Sequence, residues 1–154
     1  MDWEEAWAVF VGTFPRAVDS KGRLLVPAEM VRALDAADRE GYYLAPGDGC
    51  VLLFKRSVFH RLAAEMSTPT PFARSVFNRT FFGQSAWRPA DGMGRILLPE
   101  ELKATCGIAG EAVLVGCGDY LEIWAPERLR AARKAGPSVV DLLQGFGEGP
   151  ATSR

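Results

Sequence analysis

Through most of the chain the apolar residues fall in short runs cut by turn formers, and both halves of the chain cut them in the same order. Residues 7–11 (Trp-Ala-Val-Phe-Val) form a run that ends at Gly12, and their β-branched and aromatic content predicts a strand. Asp19-Ser20-Lys21-Gly22 has the composition of a tight turn, because Asp can bond backbone amides two residues on and Gly takes positive φ. Leu24-Leu25-Val26 then reads as a buried strand, and Pro27 suits the first turn of a helix. Met30, Val31, Leu34 and Ala37 follow at helical spacing, which predicts a helix to about Ala37, ended by Gly41. Tyr42-Tyr43-Leu44 and Val51-Leu52-Leu53-Phe54 read as a hairpin around Pro46-Gly47-Asp48-Gly49. Ser57 is a candidate cap for the next helix, where Phe59, Leu62, Ala63 and Met66 form an apolar stripe.

Ser67-Thr68-Pro69-Thr70-Pro71 breaks any helix and predicts an extended linker. One helix is predicted from Phe72 to Phe82, with Arg74 and Arg79 on the face opposite Phe72, Ala73, Val76 and Phe77. The first order of elements then returns. A turn at Asp91 precedes an Ile96-Leu97-Leu98 strand and a helix over 99–106. A hairpin of Ala112-Val113-Leu114-Val115 and Tyr120-Leu121-Glu122-Ile123-Trp124 turns at Gly116-Cys117-Gly118-Asp119, and a helix follows over about 126–135. From Gly136 the Gly, Pro and Ser content predicts a frayed tail, interrupted by Val139-Val140 and Leu142-Leu143.

The repetition is one of residues as well as of order. Asp19-Ser20-Lys21-Gly22-Arg23-Leu24-Leu25-Val26-Pro27 returns 72 positions later as Asp91-Gly92-Met93-Gly94-Arg95-Ile96-Leu97-Leu98-Pro99. Phe10-Val11-Gly12 matches Phe81-Phe82-Gly83 at an offset of 71, and residues 51–54 match 121–124 at 70. Such drift is what short loop insertions and deletions produce, so the chain is a tandem duplication of a unit of strand, turn, strand, helix, hairpin and helix.

Composition narrows the classes. A chain of 154 residues with 48% hydrophobic side chains can bury one good core or two small ones that share an interface. No apolar run approaches the roughly 20 residues of a membrane span, and the acidic start at Asp2, Glu4 and Glu5 is unlike a signal peptide, so a cytoplasmic protein with no membrane partner is expected. Cys50, Cys106 and Cys117 form no C-x-x-C, which predicts buried free thiols and no metal site. The net charge of −1 makes no global case for nucleic acid, but between Lys55 and Arg88 six cations stand against Glu65 alone. Such a run reads either as a solvated face or as a phosphate-binding one. The single histidine, His60, has no nucleophile arranged toward it, and no phosphate-binding glycine motif occurs, so no enzyme, cofactor or small-molecule substrate is expected. Phe81, Phe82 and Trp87 beside Arg79 and Arg88 read as core packing before base stacking.

In both copies an Arg follows an Asp by four positions, with Gly directly before it and an aliphatic strand after it. That places a guanidinium at the mouth of a turn, where Asp19 or Asp91 can hold it in one rotamer for bidentate bonding to guanine or phosphate. The alternative on the same residues is structural: Asp closes an Asx turn, and Arg pairs with Glu29 or Glu101 across the fold. Lys21, opposite Met93 in the second copy, gives the first loop an extra cation.

These residues resemble a known family. The doubled Asp-x-x-Gly-Arg motif with its Pro, the preceding Phe-x-Gly, Leu114-Val115-Gly116 and Glu122-Ile123-Trp124 are similar to the MraZ family of bacterial transcriptional regulators, over about Phe10 to Glu127. The resemblance implies an α+β fold with a mostly β core. This is a double-split β-barrel built from two tandem AbrB/MazE/MraZ-like hairpin repeats and capped by helices. It divides the chain into a first repeat at 13–56, connecting helices and linker at 57–84, a second repeat at 85–128, and a helix end and tail at 129–154. It further implies a ring-like homo-oligomer, association with the nucleoid, and repression at promoter direct repeats upstream of a division and cell-wall gene cluster. The family's DNA-binding residues carry over to Asp19, Lys21 and Arg23, and to Asp91 and Arg95. Arg16, Arg74, Arg79 and Arg88 are candidate phosphate contacts. The chain departs from the family in its acidic leader, in Lys55-Arg56 near a usual Tyr-Pro, and in Met93, so the first loop is expected to dominate contact with double-stranded DNA. The runner-up is a protein-interaction module, an antitoxin or scaffold, favoured by the acidic balance and the apolar tail around Leu142-Leu143.

Overall fold

The computed structural model describes residues 9–32, 34–66 and 71–147. The expected acidic leader, linker residues 67–70 and the end of the tail lie outside them. Eight strands and six α-helices are described. Residues 13–65 contribute β1 (Thr13–Ala17), β2 (Arg23–Leu25), α1 (Ala28–Val31), β3 (Gly41–Pro46), β4 (Val51–Lys55) and α2 (Arg56–Glu65). A 3-10 turn (Pro71–Arg74), α3 (Ser75–Thr80) and a second 3-10 turn (Phe82–Gln84) lead to the second repeat. There β5 (Ala86–Pro89), β6 (Arg95–Leu97), α4 (Glu100–Thr105), β7 (Glu111–Gly116), β8 (Tyr120–Trp124) and α5 (Pro126–Ala135) follow the first order, and α6 (Val139–Gly147) ends the described chain. The fold is α+β and mostly antiparallel sheet.

Strands pair between the repeats more than within them. The six-stranded sheet runs β1-β7-β8-β4-β3-β5, and β2 pairs only with β6. Each repeat's first strand therefore completes the other repeat's hairpin: β1 lies against β7 and β5 against β3. The two hairpins meet through β4 and β8, Val51 opposite Ile123 and Phe54 opposite Tyr120. A pseudo-twofold relation follows, since β4–β8 and β2–β6 each join equivalent strands.

Both faces of the large sheet are covered, which is why its strands read as continuous apolar runs. Leu44, Val51, Leu53, Leu114, Leu121 and Ile123 point inward and meet Leu24 and Ile96 of the two-stranded ribbon, and Val26 and Leu98 just after its strands, in one core. Alternate residues point outward. Ala45 and Phe54 meet Phe59 of α2, and Trp124 meets Leu129 of α5. Phe81 and Phe82 join the first of these outer clusters, so they pack as predicted, with Phe81 stacked on Phe77 at 5.2 Å between ring centroids. A buried Leu or Ile contributes about 1.5 to 3 kcal/mol, and the central cluster holds residues from both repeats.

Several expectations are corrected. The strand predicted at residues 7–11 is, within the described part, a single bridge between Phe10 and Gly118, and the true first strand is β1. Both β1 and β5 carry proline and lie at the sheet's edges, where a missing amide breaks no ladder. The helix expected to reach Ala37 stops at Val31, with Pro27 at the N-cap instead of inside the first turn. After it, Asp35 accepts from the Asp38 amide at 2.9 Å, and Arg39 donates to the Leu34 carbonyl at 2.9 Å, so side chains take over backbone partners. Ser57 does not cap α2; buried Asp38 does, accepting from the Ser57 amide at 3.1 Å and hydroxyl at 2.9 Å. The predicted 72–82 helix is split by its two 3-10 turns. The frayed tail is instead helical over Val139–Gly147, where Ser138 and Asp141 bond each other reciprocally.

Candidate nucleic-acid interface

The β2–β6 ribbon is short, and its register decides which side chains share a face. Arg23 lies opposite Leu97, Leu24 opposite Ile96, and Leu25 opposite Arg95. Successive strand residues point to opposite sides. Leu24 and Ile96 are buried, so Arg23, Leu25, Arg95 and Leu97 stand together on the outer face. The two arginines occupy a diagonal, where neighbouring residues are about 7 to 8 Å apart. Leu25 and Leu97 are 42% and 43% exposed, so the ribbon offers two cations around an apolar centre.

Each arginine is held by the aspartate of its own turn. Asp19 Oδ1 accepts from the amides of Lys21 and Arg23, both at 2.9 Å, and Oδ2 accepts from Arg23 Nε at 2.8 Å. Asp91 does the same with Met93 and Arg95 at 2.9 Å and with Arg95 Nε at 2.8 Å. The Asx turn and the arginine clamp, set apart as alternatives in the sequence, are thus one arrangement, and the clamp uses Asp instead of Glu29 or Glu101. Gly22 and Gly94 close the turns at φ +85° and +84°, with the Gly amide donating to the Asp carbonyl at 2.9 Å in each.

These bonds favour the charged carboxylate. The Arg23 amide does most to hold Asp19 below the ordinary carboxyl range, and the Arg95 amide does the same for Asp91, each against opposing desolvation. Nε is the atom engaged in each clamp, which leaves Nη1 and Nη2 outside these bonds. Those two nitrogens form the end-on fork that matches guanine O6 and N7 or two phosphate oxygens. Arginine and aspartate side chains are about a third exposed, at 32% and 34% in both pairs.

Of the other expected contacts, Arg88 comes to the ribbon, donating from Nε to the Leu97 carbonyl at 3.1 Å. Arg16 folds over the Phe14 ring and donates to the Pro15 carbonyl. Arg74 and Arg79 lie in the segment between the repeats, Arg74 donating to Met66 Sδ at 3.2 Å. Part of the excess positive charge counted along 55–88 is neutralised in space by acids from outside that span: Arg56 faces Glu40 at 3.7 Å and Arg61 faces Asp119 at 3.6 Å. A residue missed in the sequence is Lys103 of α4, whose ammonium lies beside Gly22. Its only signal was its place in a helix directly after the second motif.

His60 Nε2 lies 3.0 Å from Tyr43 Oη on an exposed face. Cys50 and Cys106 are buried and Cys117 half-buried, all three as free thiols, and burial pushes Cys50 up to about 12 and Cys117 to about 11. Among the described residues no group of three His, Cys, Asp or Glu is placed to hold a metal ion, and no helix is long and apolar enough to cross a membrane.

The family model described as "MraZ protein, putative antitoxin-like" matches residues 82–133. The chain is 37% identical over 142 residues to a Thermomicrobium roseum protein named Transcriptional regulator MraZ, covering 88% of this chain and 97% of that one. A Symbiobacterium thermophilum protein of the same name is 32% identical over 141 residues, 89% of this chain and 99% of its own. One from Heliobacterium modesticaldum is 31% identical over 141 residues, 88% and 95% respectively.

Proposed function

The chain belongs to the MraZ family, and from that premise we propose that it is a transcriptional regulator that binds double-stranded DNA sequence-specifically through the outer face of the β2–β6 ribbon. The observation that carries this reading is the pair of aspartate-clamped arginines, Arg23 and Arg95, on one exposed face with their Nη forks outside the clamp. A two-stranded ribbon fits the major groove, and an arginine fork reads guanine there. Lys21 and Arg88 supply phosphate contacts at the edge of that face, and Asp19 and Asp91 position the forks. Arg16, Arg74 and Arg79 are assigned to phosphates outside the direct path of the ribbon.

Crossed pairing of each first strand with the other repeat's hairpin supports a double-split barrel in which residues 13–56 and 85–128 form one unit. One bidentate contact discriminates by only about 1 to 3 kcal/mol, so one subunit is too weak to select a promoter. We assign that task to a ring-like homo-oligomer that presents first loops to direct repeats about 10 bp apart, upstream of its own division and cell-wall genes, and so represses them from the nucleoid. A second reading, a protein-binding module, is favoured by the exposed Val139, Val140, Leu142 and Leu143 of α6.

A gel shift with the DNA upstream of its own gene tests the proposal. Wild type is expected to retard that duplex over a scrambled one, and Arg23→Ala to lose the preference. Equal retardation of both duplexes by wild type, or none at any salt concentration, would overturn it in favour of the protein-binding module.

A further inference from the structure

The second repeat reaches into the first repeat's loop. Gly22 has no side chain, and the space beside its Cα is bordered by Lys103: Nζ lies 3.6 Å and Cδ 4.0 Å from the point where a Cβ would stand. Leu97 Cδ1, 3.7 Å from that point, supplies the other wall. The chain leading to Lys103 is fastened to this turn, because the Leu98 amide donates to the Gly22 carbonyl at 2.9 Å just before α4 begins.

The Lys103 side chain is only 20% exposed, while the acid facing its ammonium, Glu100, stands 3.8 Å away with its own side chain 83% exposed. Glu100 therefore faces the ammonium as a surface ion pair, at a separation longer than a hydrogen bond. A packed aliphatic stem carrying its charge to the surface is the usual compromise for lysine at an apolar edge.

The second loop has no equivalent. An offset of 72 puts Val31 in the place of Lys103, and among the described residues the space beside Gly94 meets only Leu25 Cδ1, at 3.6 Å. Lys21, Arg23 and Lys103 therefore gather at one end of the ribbon, whereas the loop of Arg95 has Met93 and Val31 at the matching positions. The first loop thus has two more cations than the second, one of them facing Glu100, where the second loop has Ala28 at the matching position.

We propose that Lys103 is a DNA phosphate contact which the second repeat supplies to the first loop, and that it makes that loop the stronger anchor of the two. The assignment rests on the ribbon being the DNA-binding face. A compact ammonium suits a phosphate better than a base edge, because it offers point charge without the planar fork that reads guanine.

Fluorescence anisotropy against the cognate upstream duplex and a scrambled one, over a series of salt concentrations, tests this with wild type, Lys103→Gln, Lys103→Arg and Arg23→Ala. Losing one phosphate contact lowers the slope of log K against log salt by about 1. Lys103→Gln is expected to show that loss on both duplexes, to keep the cognate-to-scrambled ratio, and to unfold at the wild-type midpoint, and Lys103→Arg to restore the slope. An unchanged slope for Lys103→Gln, in a series where Arg23→Ala loses the cognate preference, overturns the role of Lys103 alone. If Arg23→Ala keeps the preference, the reading of the ribbon itself falls, and the Lys103 assignment falls with it. A Lys103→Gln midpoint well below wild type, with the salt slope unchanged, would mark the lysine as a packing residue and overturn the proposal.

Discussion

Leu24 and Ile96 face each other across β2 and β6, each 1% exposed, and each holds in its own repeat the place the other holds in the second. The pseudo-twofold relation of the chain passes between them. Their burial turns the neighbouring Arg23 and Arg95 outward, so the core packing and the proposed reading face are two sides of one register.

Truncating either of these side chains leaves a cavity at the junction of the repeats. Ile96→Ala and Leu24→Ala are each expected to lower unfolding free energy by about 2 to 5 kcal/mol. The double variant should depart from additivity, since the two side chains are direct partners. Urea titrations followed by tryptophan fluorescence measure all three.

Gly94 is needed for its backbone, not its size. Among the described residues a Cβ there meets nothing closer than 3.6 Å, yet φ is +84°. Gly94→Ala is expected to cost about 1 to 2 kcal/mol through left-handed strain, with no cavity or clash. Gly94→Asn should recover part of that loss in the same thermal melts, because Asn tolerates this region.

The clamps tie stability to pH. Folding lowers the carboxyl of Asp19 and of Asp91, so each contribution is whole above the ordinary value of 3.8 and disappears as pH falls through the lowered folded value. The difference in unfolding midpoint between wild type and Asp19→Asn should be constant at neutral pH and close as the solution is acidified below that value. A difference that grows on acidification would contradict the clamp.

Removing the clamp also frees the fork. Asp19→Asn keeps a hydrogen-bond acceptor for the turn but takes away the charge that fixes Arg23, so weaker discrimination between cognate and scrambled duplexes is expected with little change in fold. Arg95→Ala should cost less affinity than Arg23→Ala, and anisotropy on the two variants side by side measures the inequality of the loops.

Thiol chemistry should be slow in the native protein. Burial raises Cys50 to about 12 and Cys117 to about 11, which leaves almost no thiolate at neutral pH. A thiol-exchange dye is expected to react slowly with the folded chain and rapidly with all three cysteines in denaturant.

Local chemistry alone determined much of this protein. The Asp19 and Asp91 turns, the hairpins, α5 and the duplication itself are written in residues that are close along the chain, because turn formers and apolar runs act over a few positions. Tertiary structure decided the rest. Proline hid β1 and β5, and only their places at the edges of the sheet make them strands. Helix α1 gave way to the Asp38 and Arg39 bonds. The charge excess of 55–88 was cut by Glu40 and Asp119 from elsewhere, and Lys103 reached the first loop from the far repeat. Most decisive was the pairing of β2 with β6, strands whose equivalent residues lie 72 apart, which no local preference specifies: it alone puts Arg23 and Arg95 on a common face.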